Sequence, residues 1–320
     1  LLAVLIAAAV LLARREKPPD AGPDYVPQSG RLVASFLDVG QGDAELIRLP
    51  GGEAVLIDSG DKGAPTVDLL RGLGIRHLAL IIATHPHSDH IGEMRDVMRA
   101  FRVDEFWDSG FRHPTRTYSD MLEEIRKQGI NFTTPKRGFT RRMGEVLIEV
   151  LNPPNRPINN EANDASLVVR FAYGQTRFLF TGDAETGAWQ NMIDASRNGL
   201  KANVLKAAHH GSSNGTTAEV LDAVGPAILT ISCASGNDYS HPGARLMRLL
   251  EAVREKVAVY RTDLEGTITA VSDGNRIDVS VERGISPERR YLTGDKVAGK
   301  VAGAPMSVKV SRRTRAASAK

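Results

Sequence analysis

The chain has 320 residues, 42% hydrophobic and 25% charged, which is ordinary globular composition with room for one large domain or two small ones. Its one cysteine, Cys233, excludes an internal disulfide and any cysteine-rich zinc module. The net charge of +3 is uneven: residues 287–320 carry nine Lys or Arg against Glu288 and Asp295, a net +7, so the rest carries −4, which argues against a broad basic groove.

Residues 1–13 are wholly apolar, and Arg14, Arg15 and Lys17 follow. The stretch is shorter than the ~18–20 residues that span a bilayer, so it reads as a membrane anchor or a signal remnant, with a buried core helix as the alternative. Basic residues just after a span favour a cytoplasmic location. Residues 14–30 hold Pro18, Pro19, Pro23 and Pro27 and read as an extended linker. The folded part is expected over residues 31–284, followed by a basic, disordered tail over 285–320 in which Gly, Ala and Ser separate the charges.

Residues 32–39, 44–49 and 54–58 read as strands, separated by turns at 40–43 and 50–52. Residues 64–73 read as a helix with Val67, Leu69, Leu70 and Leu73 on one side. The apolar run 78–83 reads as a buried strand. It leads directly into Thr84-His85-Pro86-His87-Ser88-Asp89-His90, three imidazoles and a carboxylate within six residues of a chain with only eight histidines. Neutral imidazole and carboxylate are the usual ligands of zinc, manganese and iron in hydrolases. His85 and His87, two apart, can reach one ion from an extended turn. Asp89 and His90 can serve a second.

A helix is expected over 92–100 and another over 119–128, with short strands elsewhere in 101–145. Residues 146–151 form a strand, 152–157 a Pro-rich loop, and 166–172 with 176–180 a hairpin. A helix follows Asp183. Residues 202–208 form a strand ending in His209-His210-Gly211-Ser212. Helices at 216–224 and 242–253 and strands at 227–233, 257–261, 266–271 and 276–281 complete the set. Strands first, then strands mixed with helices, suit an α+β fold of two packed sheets with helices outside.

A two-metal hydrolase needs a bridging group and further ligands from elsewhere in the chain. Asp183 can bridge, His209 and His210 end a strand, and Asp164 stands before another. Asp58 can orient a ligand imidazole from behind. Each carboxylate taken alone reads equally well as a turn or helix cap.

This order of motifs resembles the metallo-β-lactamase fold hydrolases over about residues 31–281. Finer motifs are similar to the hydrolase domain of the ComEC/Rec2 competence proteins: Phe36-Leu37-Asp38-Val39-Gly40-Gln41-Gly42-Asp43-Ala44, Asn163-Asp164-Ala165-Ser166-Leu167-Val168, Leu179-Phe180-Thr181-Gly182-Asp183, His209-His210-Gly211-Ser212 and Arg261-Thr262-Asp263-Leu264-Glu265-Gly266. The resemblance implies an αββα sandwich with two divalent ions, Zn or Mn, at one edge. His85 and His87 would hold the first ion, Asp89 and His90 the second, and Asp183 would bridge. His210, with His209 as the competing choice, would complete the second ion's shell. Most relatives place a His where Asp164 stands; an Asp there would favour manganese, magnesium or iron over zinc.

The implied chemistry is attack of an activated water on phosphorus or a carbonyl carbon. Asp89 would hold or accept its proton, and the second histidine of the 209–210 pair would donate to the substrate. Ser212, Ser213 and the Gly211 amide lie beside it as anion donors. By resemblance Asn237 and His241 line the substrate cleft; a capping role before Pro242 is the other reading of His241. Lys206 is either a phosphate contact or a snorkelling core lysine. Asp43 and Gln41 either approach the metals or shape their glycine turn.

The leading expectation is a phosphodiesterase or nuclease acting on single-stranded DNA, linked to DNA uptake. It would be membrane-tethered on the extracytoplasmic face of a bacterial cell, or secreted. The alternatives are hydrolysis of a small ester, lactone or cyclic nucleotide, and a non-catalytic nucleic-acid or partner-binding module of an uptake machine. A competence channel needs many membrane helices, so the chain is expected to be a fragment of a larger protein or a stand-alone hydrolase.

Overall fold

The computed structural model describes residues 30–297 and the backbone of 310–312. The apolar segment at 1–13, residues 14–29 and the remainder of the basic tail lie outside the described residues. Among the described residues no helix is long and apolar enough to cross a membrane.

The first sheet begins with β1 (Leu32–Phe36), β2 (Glu45–Arg48), β3 (Ala54–Ile57), β4 (His77–Ala83), β5 (Arg102–Asp108) and β6 (Asn131–Thr133). The second holds β7 (Thr140–Met143), β8 (Val146–Asn152), β9 (Val168–Tyr173), β10 (Thr176–Phe180), β11 (Val204–Lys206), β12 (Ile228–Ile231) and β13 (Ala258–Arg261). The chain then returns to the first sheet with β14 (Ile268–Ser272), β15 (Ile277–Val281) and β16 (Val310–Arg312). The strand orders are β16-β15-β14-β1-β2-β3-β4-β5-β6 and β13-β12-β11-β10-β9-β8-β7.

Phe36, Trp107, Phe171, Phe178 and Phe180 fill the space between the sheets. Leu46, Leu56, Ile81, Met94 and Phe106 pack the helices Met94–Ala100 and Arg116–Gln128 onto the outer face of the first sheet. Leu205, Leu229, Trp189 and Leu250 do the same for the helices Thr186–Ser196 and Ala244–Ala252 on the second. Phe106 and Trp107 are neighbours on β5 yet enter different layers, as the two-residue period of a strand requires. The result is the expected αββα sandwich. Both faces of each sheet are covered, so central strands such as β4 read as continuous apolar runs.

Strands β3, β4 and β5 run parallel to one another, as do β10, β11, β12 and β13. Parallel pairing brings the C-terminal ends of neighbouring strands to one edge, where ligands commonly bind in α/β sheets. Most of the expected site residues follow β3, β4, β10 and β11.

Several elements are shorter than the sequence reading, and two boundaries differ in the other direction. The helix expected at 119–128 starts three residues earlier, at Arg116, because Thr115 Oγ1 accepts from the Tyr118 amide and caps it. The body also runs past the expected limit at 284. Short 3-10 turns at Pro287–Tyr291 and Gly294–Lys296 pack onto it, and Val297 is buried. The reason is ionic: Arg290 pairs with the fully buried Glu265 at 2.5 Å, so part of the basic tail is a structural strap.

Candidate metal centre

The turn after β4 carries His85, His87, Asp89 and His90, and the ends of β10 and β11 bring Asp183, His209 and His210 to meet it. His85 Nε2 and His87 Nδ1 are 3.0 Å apart. For metal–nitrogen bonds of about 2.0–2.1 Å, ligand atoms sit roughly 3.3 Å from one another in a tetrahedron, so this spacing suits one shared ion. Asp183 faces His90 Nε2 at 3.2 Å with one oxygen. Its other oxygen lies 3.6 Å from His210 Nε2, 3.7 Å from His209 Nε2 and 3.8 Å from His85 Nε2. Asp89 reaches His210 Nε2 at 3.1 Å.

The backbone is strained to achieve this. Asp58, His209, His210 and Ser240 are the non-glycine positions of positive φ among the described residues, and all four lie at or beside the cluster. Gly182, before Asp183, has φ +48°, and a Cβ there would meet Thr84 at 2.8 Å. That close approach lets the second sheet's turn sit on the first sheet's histidine loop.

The carboxylates divide into two groups. Asp183 and Asp89 face the Nε2 atoms of His90 and His210. Asp58 and Asp43 stand behind, at the Nδ1 atoms: Asp58 accepts from His90 at 2.7 Å, and Asp43 lies 3.3 Å from His210 and 3.8 Å from His90. Thr84 fixes Asp58 through its amide at 2.8 Å and its hydroxyl at 2.6 Å. Ligand atoms of Asp43, His90, Asp183 and His210 fall within 4.8 Å of one another, and all four residues are buried. Asp43, however, already accepts from the Lys206 ammonium. We therefore place it behind the imidazoles, orienting them, and not among the ligands.

Burial favours neutral histidines, and it holds His85 well below the usual imidazole range. At His210 burial is outweighed by Asp183 and Asp43, which push it up to about 10, and His90 is raised well above its usual range, Asp183 and Asp58 again outweighing burial. Asp183, though buried, is held well below the carboxylate range by His90 and His210. The buried Asp183 carboxylate thus faces ring nitrogens from the loops of both sheets. Asp183 Oδ1 and His90 Nε2 are buried without a hydrogen-bond partner, the state a cation between them would satisfy. The donor set of imidazoles and carboxylates fits divalent ions of the zinc, manganese and iron group.

The structure does not bring every expected residue to the cluster. Asp164 is turned away. One oxygen accepts from the amides of Glu185 and Ala188 at 3.2 and 3.0 Å, and the other from Asn159 at 2.6 Å. It caps the helix Thr186–Ser196, whose N-terminus attracts negative charge, so its expected role as a ligand is corrected. Asn237 is also spent: its amide bonds the backbone of Ala234, Tyr239 and His241. Ser212 Oγ donates to Asn214 at 2.7 Å, and Ser213 Oγ lies against Gly243. His241 does reach the site, its ring 5.5 Å from that of His209. Gln41 accepts from the Ala234 amide at 3.2 Å and so ties its glycine turn to a neighbouring loop.

Sequence reasoning missed His113, whose ring lies 5.5 Å from that of His87, and Glu185, whose Oε1 lies 2.9 Å from His209 Nδ1. Seven of the eight histidines join this assembly of rings; His77 alone stands apart, on Asp104. That concentration was the available signal for His113.

Residues 37–235 match the model of the metallo-β-lactamase superfamily. Among curated proteins the chain is 31% identical over 253 residues to ComE operon protein 3 of Bacillus subtilis, covering 73% of this chain and 32% of the relative. It is 27% identical over 255 residues to competence protein ComA of Neisseria gonorrhoeae, covering 77% and 33%. It is 29% identical over 257 residues to recombination protein 2 of Haemophilus influenzae, covering 77% and 30%. The chain spans about a third of the length of these relatives. Among solved structures it is similar in fold to CmlA, a diiron β-hydroxylase from Streptomyces venezuelae, with TM-score 0.51 and 14% identity over 77% of this chain and 55% of that one. The αββα layers, the histidine loop at the sheet edge and the matched residues together show that the chain belongs to the metallo-β-lactamase superfamily.

Proposed function

We propose that the chain is a dinuclear metal-dependent phosphodiesterase acting on single-stranded nucleic acid. The observation that carries this reading is Asp183, a buried carboxylate that faces imidazoles from both sheets with both oxygens. In this reading His85 and His87 would hold one ion and Asp89, His90 and His210 the other, with Asp183 available to both. Bound divalent ions supply Lewis acidity that activates water and neutralises charge on a phosphate.

The remaining steps fall to the chain's own side chains. Asp89 is 27% exposed and stands at the mouth beside His210, placed to take up the proton of the attacking water. His209, 24% exposed, has Glu185 behind its Nδ1, leaving Nε2 to face the site and donate to the leaving oxygen. Burial, with His209 and His210 nearby, pushes His241 down to about 4, so it meets substrate as a neutral hydrogen-bonding ring. The names of the competence and recombination relatives support nucleic acid as the substrate.

The test is turnover by metal-reconstituted protein of bis-p-nitrophenyl phosphate, a lactone and labelled single-stranded DNA. Cleavage of both phosphodiesters supports the proposal. Turnover of the lactone alone would move the chain to the ester-hydrolase reading, and no turnover with under one ion per chain to a binding module.

A further inference from the structure

Tyr239 and Phe132 are the large hydrophobic side chains left exposed among the described residues, and Tyr239 is 68% exposed. The Tyr239 ring stacks on His241, with centroids 5.7 Å apart and 25° between planes. His241 stacks in turn on His210 at 6.4 Å and 30°. The three rings form a column from the metal cluster to the solvent.

The loop that carries Tyr239 is held at several points. At its base, Thr262 Oγ1 accepts from the Cys233 amide at 3.0 Å and lies 3.1 Å from the Cys233 carbonyl, to which it donates. Inside, the Asn237 side chain bridges the backbone of Ala234, Tyr239 and His241. Outside, the Gly294 amide of the strap donates to the Pro242 carbonyl at 3.1 Å, and Gly294 lies so close to His241 that no side chain fits there. Arg290 anchors the strap to Glu265, and Arg261 donates to the carbonyls of Arg290 and Leu292. The Arg261–Glu265 segment, which makes no hydrogen bond or ion pair to the proposed metal ligands, therefore secures both the loop and its strap.

We propose that Tyr239 is a stacking platform for a nucleobase of a single-stranded substrate, held in register with the metal centre by the strap. This rests on the phosphodiesterase reading above. A body of net charge −4 offers little phosphate attraction, so a pre-ordered aromatic is the available grip on the strand. Such a ring loses little entropy on binding, and every unpaired base offers it a π-face. A duplex keeps its bases stacked inside and cannot use it.

The experiment measures anisotropy of a fluorescent, phosphorothioate-linked oligodeoxythymidine on the full chain reconstituted with Mn²⁺, beside a matched abasic strand. Tyr239→Ala is expected to weaken binding of the thymidine strand about 5–150-fold, with Tyr239→Phe near wild type. The abasic strand should be indifferent to Tyr239→Ala, and Phe132→Ala should change neither. Unchanged thymidine binding by Tyr239→Ala, or an equal loss on the abasic strand, overturns the platform alone. A wild type that hydrolyses bis-p-nitrophenyl phosphate but binds no oligonucleotide overturns both the platform and the nucleic-acid reading.

Discussion

Lys206 donates to Asp43 in an ion pair whose side chains are each 1% exposed, and the other Asp43 oxygen lies 3.3 Å from His210 Nδ1. A lysine near the candidate metal site is here a structural partner of the carboxylate that stands behind His210. Lys206→Met leaves that carboxylate buried without its ammonium partner. The expected loss is about 3–5 kcal/mol in urea unfolding. Asp43→Asn combined with Lys206→Met should cost less than the two single changes added, because they share one interaction.

Asp164→Ala separates a helix cap from a metal ligand. The expected result is an unchanged metal content with a stability loss of about 0.5–2 kcal/mol, the usual cost of a lost cap. Plasma mass spectrometry beside thermal unfolding checks both; a lost ion would return Asp164 to the ligand set.

Asp58→Asn tests the carboxylate behind His90. It keeps the shape but weakens the acceptor that fixes the ring. Metal affinity, measured by competition with a chelator, should fall about 10–100-fold. Binding as tight as wild type would show that His90 needs no such partner.

The pH dependence follows from His210. Asp183 and Asp43 raise it against burial, from 6.5 to about 10. A raised histidine stabilises the fold fully below its unfolded value and loses that contribution as pH rises through the folded one. In metal-free protein, the stability advantage of wild type over His210→Gln should therefore shrink between about pH 6.5 and 10. Metal affinity should rise over the same window, because ligand imidazoles must lose their protons. Denaturant titrations across this range would expose the opposite slope.

His85, His87, Asp89 and His90 were legible because one short loop carries them all. Asp183, His209 and His210 were legible because they end apolar strands, and parallel strands deliver their ends to one edge. Asp164 was misread because the helix it caps starts 22 residues later, a tertiary relationship that leaves no local spacing. Lys206 ends β11 and Asp43 lies in the loop between β1 and β2, 163 positions apart, so neither showed the other. The strap was hidden because Arg290 resembles its solvated neighbours until Glu265 is seen beneath it.

The most direct test of the central claim is the metal content of dialysed, reconstituted protein. The proposed dinuclear centre predicts two divalent ions per chain in the wild type and fewer in Asp183→Asn. Fewer than one ion in the wild type, or an unchanged content in Asp183→Asn, would contradict it.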